Sequence, residues 1–286
     1  MSETKKSSTQ GAGHADTAVL TTAASIDEKD FNLAGIRELP ADISSAEREA
    51  RIELAAAYQL AAHFKWSDLI YTHFSSKIPG TEEILINPFG LTFDEITASS
   101  LVKISLDGDI LYDPTGLGIN RAGFVIHSCI HKARPEAHGV LHTHSRAGAA
   151  VSAMKCGLLP ISQHAMRVQQ RIRYHDYEGV AFNEAEQERL ASDLGPSAPA
   201  MILRNHGLLA LGPSVREAFD VLYFLEAACQ IQVDALSGGL ENVQLMSDQA
   251  AATSDKQFHN PERLKRMRDW YALLRILDKK GSNFRT

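Results

Sequence analysis

The stretch that decides the fold is Gly139-Val140-Leu141-His142-Thr143-His144-Ser145, a short apolar run that ends in a His-x-His pair. Residues 139–142 are typical of the end of a buried strand. Side chains two positions apart on a strand point to the same face of a sheet. The spacing therefore predicts that His142 and His144 present their imidazoles to one point in space.

A second apolar run, Met201-Ile202-Leu203-Arg204-Asn205-His206-Gly207, also leads to a histidine. If the two strands end side by side, three neutral imidazoles can surround one divalent cation and leave a coordination position open, as in catalytic metal sites. A cupin-type site would need a Glu shortly after His144, where Gly148 and small residues stand. Ordinary core or surface histidines are the alternative that the pattern leaves open.

The composition is typical of a globular enzyme-sized protein. The chain has 286 residues, 44% of them hydrophobic and 22% charged, which suits one large α/β domain or two small ones. A net charge of −6 argues against nucleic acid as the main partner. Three cysteines without paired spacing (Cys129, Cys156 and Cys229) indicate reduced, buried thiols of a cytoplasmic protein. No apolar run approaches the roughly 18 residues of a membrane span.

The chain divides into four segments by composition. Residues 1–25 are rich in Ser, Thr, Ala and Gly and are predicted to form a flexible, disordered tail, and residues 26–43 a segment draped over the surface. Helical periodicity begins at Ser44, where Ser44 and Glu47 form a capping-box pattern. We expect residues 44–237 to form the main domain and residues 238–286 a loop followed by a C-terminal amphipathic helix.

Hydrophobic periodicity predicts one α/β domain with a mixed, mainly antiparallel sheet and helices on its faces. The helices are expected at 44–64, 121–133, 147–154, 184–194, 215–236 and from Pro261 to about Ile276, with 240–256 as loop. The strands are expected at 71–77, 84–87, 101–105, 110–112, 139–142, 200–204 and 208–211. His127 and His131 share one helix face, and packing against the sheet is the favoured interpretation over metal binding.

The tracts Arg134-Pro135-Glu136-Ala137-His138-Gly139-Val140-Leu141-His142-Thr143-His144-Ser145 and Arg204-Asn205-His206-Gly207-Leu208 resemble the class II aldolase/adducin family. The resemblance covers roughly residues 44–237, and the tracts 151–162 and 174–179 are similar to the adducin heads. It implies a layered αβα domain and a homo-oligomer, commonly a tetramer. It also implies that His142, His144 and His206 bind a divalent metal, zinc before manganese, cobalt or iron.

The sequence departs from the sugar-phosphate aldolases of that family at the site itself. Those enzymes carry a proton-transferring Glu nineteen residues before the first metal histidine, and position 123 (142 − 19) is a glycine here. Arg121-Ala122 stands in place of two phosphate-binding serines, and Phe89-Gly90 in place of a Thr-Gly phosphate loop. The comparison therefore predicts an unphosphorylated substrate that bears a carboxylate.

Other residues at family pocket positions are candidates for the missing roles. For substrate binding these are His73, Gly90, Arg121 and Gln163, with Arg121 as a carboxylate clamp. For proton transfer His164 is the first candidate, because an imidazole exchanges protons near neutral pH, and Tyr174, Tyr177 and Glu178 are in reserve. Tyr271 is expected to pack beside Trp270; reaching a neighbouring subunit's site is its alternative role.

These features predict a metal-dependent carbon–carbon lyase acting on a small hydroxy or keto acid, or a hydroxyaromatic carboxylate, through a metal-stabilised enolate. Both aldol cleavage and decarboxylation fit that description. The alternative is an adducin-like interaction protein with a vestigial metal site. A redox iron site is disfavoured, because such sites usually combine two histidines with a carboxylate.

Overall fold

The central feature of the computed structural model, which describes residues 38–179, 184–259 and 268–286, is an eight-stranded sheet. Its strand order is β4-β3-β2-β1-β5-β8-β7-β6. The pairs are antiparallel except β6 with β7, which confirms the mixed, mainly antiparallel sheet. The strands are β1 His73–Lys77, β2 Glu83–Ile86, β3 Val102–Ser105, β4 Ile110–Tyr112, β5 Gly139–Thr143, β6 Arg173–His175, β7 Ala200–Leu203 and β8 Gly207–Gly212.

Helices cover both faces of the sheet and give the expected αβα layers. On one face, Ile126 of α2 and Leu190 of α4 pack with Val140 of β5 in one hydrophobic cluster. On the other face, α1, α3 and α5 pack together and against the sheet. The described helices are α1 Ser45–His63, α2 Arg121–Ala133, α3 Arg146–Ser152, α4 Glu184–Leu194, α5 Val215–Leu236, α6 Asp248–Phe258 and α7 Arg268–Lys279. No helix of the described ranges is both long and apolar enough to cross a bilayer.

Side-chain caps fix where α1 and α5 begin. The Ser44 hydroxyl accepts a hydrogen bond from the Glu47 N–H (3.1 Å), and the Ser214 hydroxyl accepts one from the Glu217 N–H (3.3 Å). The Glu47 carboxylate does not complete a capping box. It binds the buried Arg51 (2.9 Å) and also Lys103 (3.2 Å), so it links the helix to β3.

Three expectations are corrected by the fold. Residues 240–256 are not all loop, because α6 starts at Asp248 after Ser247 caps it by accepting from the Ala250 N–H. Strand β6 was not predicted; its three residues become a strand by pairing with β7. Cys156 is exposed, whereas Cys129 and Cys229 are buried as expected. The predicted tail, the first part of the draped segment and the start of the terminal helix at Pro261 lie outside the described residues.

Tyr58 joins α1 to the strands that carry the site. Its side chain is fully buried. Its hydroxyl accepts from the Phe74 N–H (2.6 Å) and has two acceptors for its own proton, the Phe74 carbonyl (2.5 Å) and Asn87 Oδ1 (2.7 Å). Phe74 lies in β1 beside His73, so this hydroxyl helps to hold the strand in place. An unpaired buried polar group costs about 1–3 kcal/mol.

We therefore expect Tyr58→Phe to lower the free energy of unfolding by about 1–3 kcal/mol, because the Phe74 N–H and the Asn87 side chain lose a buried partner. Urea denaturation measures the change. Tyr71→Phe, at a half-exposed ring, is the matched control and should leave stability nearly unchanged. Equal effects of the two substitutions would contradict this role of Tyr58.

Candidate metal centre

The three predicted histidines meet where β5 ends beside the β7–β8 turn. In that turn Asn205 has a φ of +56°, which bends the chain sharply before His206. Gly207 follows because a Cβ there would lie 2.3 Å from the Thr143 carbonyl oxygen, a distance that no side chain tolerates. The glycine thus allows β8 to approach the end of β5 and brings His206 against His144.

Their Nε2 atoms converge on one point. The Nε2 of His144 lies 2.9 Å from that of His142 and 2.8 Å from that of His206. Among the described residues these three form a group of potential metal-ligating side chains whose ligand atoms all lie within 4.8 Å of one another. His142 is buried and the other two are half-buried, so the point is reached from one side.

Hydrogen bonds on the outer sides of two rings determine where the protons are. The Leu208 carbonyl can only accept, so Nδ1 of His142 donates to it (2.9 Å). The Asp68 carboxylate likewise accepts from Nδ1 of His144 (2.9 Å). In the neutral rings both Nε2 atoms are then bare, and two lone pairs face each other. Two facing acceptors repel unless a cation lies between them, so the donor set fits a divalent metal ion with the usual outer partners.

The electrostatics keep the rings of His142 and His206 neutral. Burial, with the neighbouring histidines as a further cause, holds the pKa of His142 well below its usual value. Burial followed by the charge of His144 lowers the pKa of His206 to about 4. Metal binding requires the neutral imidazole, and here the protein supplies it without a proton being removed first at neutral pH.

A chain of hydrogen-bonded side chains lies behind the three histidines. His73 of β1 pairs in register with His142 of β5, and its Nδ1 lies 2.8 Å from Nε2 of His127. His127 Nδ1 contacts the Ser75 hydroxyl, which lies 2.8 Å from Nε2 of His131. The helical pair His127 and His131 therefore packs against the sheet, as predicted, and binds β1 through these contacts.

The substrate-binding candidates differ in their surroundings. Arg121 is exposed at the first turn of α2, and the third residue of that helix, Gly123, contacts the His73 ring. Gly90 has a φ of +137° and lies against the Leu117 side chain. Gln163 is exposed. The described ring contact of His164 is with Phe224 (5.9 Å between centroids), on α5.

The reserve proton-transfer candidates have partners of their own. The Tyr174 hydroxyl accepts from the Leu158 N–H (3.0 Å), and burial raises its pKa. Glu178 is ion-paired with Arg189, which lowers the pKa of the carboxyl. Tyr177 is exposed, with its ring centroid 6.3 Å from that of His206. Tyr271 is exposed on α7, contrary to the expected packing, whereas Trp270 is buried.

Two features of the site had no signal in the sequence. Asp68 binds His144 from 76 positions earlier in the chain, and nothing in its surroundings marks it as a partner of a histidine. A surface cavity of about 440 Å³ is lined in part by Asp176, Tyr177 and Arg204. The same three residues also line a cavity of about 20 Å³ with His206, so the larger space adjoins the histidine group.

Comparison with known proteins gives consistent results. The family described as "Class II Aldolase and Adducin N-terminal domain" matches residues 52–233. A Pseudomonas aeruginosa protein named "Putative aldolase class 2 protein" is 45% identical over 260 residues, 88% of this chain and 100% of that one. Alpha-adducin of Rattus norvegicus is 50% identical over 204 residues, 70% of this chain but 28% of adducin. The crystal structure of an aldolase II superfamily protein from Pseudomonas syringae has a TM-score of 0.81 and 51% identity, covering 86% of this chain and 98% of that one.

Gly123 offers a test of the site's packing. A Cβ there would lie 2.2 Å from Cδ2 of His73, so we expect Gly123→Ala to displace the ring. Alanine in a helix normally gains up to about 1 kcal/mol over glycine; overpacking costs about 1–3 kcal/mol. Gly123→Ala should therefore lower the free energy of unfolding, measured by urea denaturation.

The neighbouring position in α2 supplies the control. Ala122→Gly removes a methyl group from the same helical turn and should also destabilise, by up to about 1 kcal/mol. We therefore expect the protein to be more stable with alanine than with glycine at position 122, and more stable with glycine than with alanine at position 123. A more stable Gly123→Ala protein would contradict the close contact with His73.

Proposed function

The chain belongs to the class II aldolase and adducin family, and on that premise we propose that it is a metal-dependent carbon–carbon lyase. Its substrate is an unphosphorylated hydroxy or keto acid, or a hydroxyaromatic carboxylate, and the reaction is an aldol cleavage or a decarboxylation. We also propose that it works as a cytoplasmic homo-oligomer, commonly a tetramer in this family.

One observation supports the proposal above the others: the bare Nε2 atoms of His142 and His144 face each other, with Nε2 of His206 at 2.8 Å from that of His144. We propose that these atoms hold one divalent cation, zinc before manganese, cobalt or iron. Such a cation would supply Lewis-acid polarisation of a carbonyl oxygen, which favours cleavage of the neighbouring carbon–carbon bond. Asp68 and the Leu208 carbonyl would orient the ligand rings.

The proposed substrate class rests on the residues that stand at the family's phosphate-binding positions. Sugar-phosphate aldolases hold phosphate with small hydroxyl residues, whereas this chain has Phe89, Arg121 and Ala122 at those positions. Arg121 is at the N-terminal end of α2, whose third residue contacts His73. Its planar guanidinium suits two parallel hydrogen bonds to a carboxylate. We therefore assign Arg121 to the substrate carboxylate, with Gly90, Gln163 and His73 as further lining candidates.

His164 is the proton-transfer candidate named by its place in the sequence, with Tyr174 and Glu178 behind it. The ring of His164 contacts Phe224 on α5, 5.9 Å between centroids. His164→Ala tests the assignment: a loss of rate of about 10²- to 10⁴-fold with metal retained supports it.

An adducin-like interaction protein without catalysis is the alternative. Alpha-adducin of Rattus norvegicus, at 50% identity over 204 residues, favours it as a second candidate. Under this hypothesis the three histidines are a remnant, and no selection maintains their outer partners. The carboxylate of Asp68 and the carbonyl of Leu208 at 2.9 Å from the ring nitrogens support a working site instead.

One prediction from the proposed function concerns the metal. The protein should purify with close to one divalent ion per chain, and replacing both His142 and His206 by Ala should remove it, because one imidazole cannot retain the ion. Metal analysis of the dialysed protein is the measurement, and His63→Ala, at the end of α1, is the control that should keep the ion. Undiminished metal in the double variant would refute the site.

Another prediction concerns the substrate. A screen of hydroxy-keto acids, hydroxyaromatic carboxylates and sugar phosphates should show carbon dioxide or aldehyde release from a carboxylate. Arg121→Lys should raise KM more than it lowers kcat, because it keeps the charge and loses the paired hydrogen bonds. A sugar phosphate as the best substrate would show that the carboxylate assignment is wrong.

A further inference from the structure

Behind His142, His144 and His206, which we call the three-histidine group, other side chains form a line of hydrogen bonds. The line ends at a backbone carbonyl. The Ala137 carbonyl lies 3.0 Å from Nδ1 of His131, and a carbonyl only accepts. His131 must therefore donate from Nδ1. Burial lowers its pKa to about 4, so the ring is neutral near pH 7 and its Nε2 atom is an acceptor.

The direction of every other bond in the line follows from that one. The Ser75 hydroxyl has a single proton and gives it to Nε2 of His131 (2.8 Å). Its oxygen must then accept from Nδ1 of His127. In the neutral ring of His127 the other nitrogen, Nε2, is then an acceptor, and it takes the proton of Nδ1 of a neutral His73 (2.8 Å). His73 is thereby fixed in the tautomer whose Nε2 has no proton.

The bare nitrogen of His73 lies over Gly123. A Cβ at position 123 would be 2.3 Å from Nε2, so the imidazole occupies the space in which a side chain of residue 123 would begin. Position 123 is where the sugar-phosphate aldolases of the family carry their proton-transferring Glu. The ring also lies beside that of His142, 5.1 Å between centroids, so His73 adjoins the three-histidine group.

We propose that His73 is the proton acceptor of the site in place of the missing Glu, and that His127, Ser75, His131 and the Ala137 carbonyl hold it in the tautomer with a bare Nε2. His73 is the catalytic residue in this assignment, and the other side chains are positioning residues. The inference rests on the proposed lyase function and assigns the proton transfer to His73 instead of His164.

The proton transfer balances in both reactions. In an aldol cleavage the substrate O–H bond breaks and its proton forms N–H at Nε2 of His73. The oxygen's electron pair forms the carbonyl of the departing aldehyde, and the carbon–carbon pair stays on the other fragment, which takes the proton back from Nε2. In a decarboxylation the bond to the carboxylate carbon breaks, carbon dioxide leaves, and the electron pair stays on the neighbouring carbon. That carbon takes a proton from N–H at Nε2, which Nε2 had taken from water, and the hydroxide left by the water combines with the carbon dioxide as bicarbonate. His73 is regenerated in each case.

The decisive measurement is the protonation of the His73 ring in the whole chain as purified, without substrate. Nitrogen-15 spectra of histidine-labelled protein distinguish protonated from bare ring nitrogens, and His73→Gln identifies the two signals. We expect Nδ1 protonated and Nε2 bare. A protonated Nε2 in the unaltered protein overturns the inference, whatever its activity.

Ser75→Ala breaks the line at its centre. His127 then loses the acceptor that fixes its proton on Nδ1, so the His73 Nε2 signal should move toward the protonated form. Rate should fall by about 10- to 100-fold, as for other outer partners of metal sites, with metal content unchanged. Ser76→Ala, at the next residue of β1 on the opposite face, is the matched control and should change neither.

Two further variants complete the test. His131→Gln supplies an amide oxygen that accepts the Ser75 proton, so it should keep Nε2 bare and retain more rate than Ser75→Ala. His73→Gln should lose about 10²- to 10⁴-fold in rate and keep its metal. Nearly unchanged turnover in His73→Gln, or a large loss only in His164→Ala, overturns the assignment. Absent turnover with a bare Nε2 contradicts the lyase function and still supports the tautomer.

Discussion

The site depends on the antiparallel pairing of three central strands, β1, β5 and β8. The register places His73 opposite His142 and sets the Leu208 carbonyl against the outer nitrogen of His142. A slip by one residue would turn every side chain of a strand to the other face. Both faces of these strands are buried under helices. The buried apolar residues of the strands, such as Phe74, Val140 and Leu209, therefore fix that register. Packing of the core therefore sets the geometry of the site.

A buried imidazole nitrogen without a partner costs free energy. Two backbone carbonyls, those of Leu208 and Ala137, accept hydrogen bonds from the buried rings of His142 and His131. A carbonyl only accepts, so each fixes the tautomer of the ring it contacts. In the neutral rings the Leu208 carbonyl leaves Nε2 of His142 without a proton, and the Ala137 carbonyl leaves Nε2 of His131 without one. Two fixed acceptors thus determine proton positions throughout the cluster.

The packing beside the three histidines couples Gly123 to His73. A Cβ at position 123 would lie 2.2 Å from Cδ2 of His73, so the ring occupies the space that a side chain at 123 would need. A larger residue at 123, such as Glu, would therefore require a change at His73 as well. This contact limits which side chains can stand together beside the three-histidine group.

The sequence by itself determined the features that depend on neighbours along the chain. These are the helix caps at Ser44 and Ser214, the span of α2, and the placing of His142 and His144 at the end of β5. These follow from periodicity and short-range hydrogen bonds. The sequence could not predict hydrogen-bond partners that are distant along the chain. Asp68, for example, binds His144 from 76 positions earlier. Strand β6 is three residues long, too short for a periodic signal, and α6 lies in a polar segment. The pattern of His127 and His131 showed that they face the sheet. Only the packed structure decided that they bind His73 and Ser75, because a hydrogen-bond partner is chosen by the distance between side chains after the chain has folded.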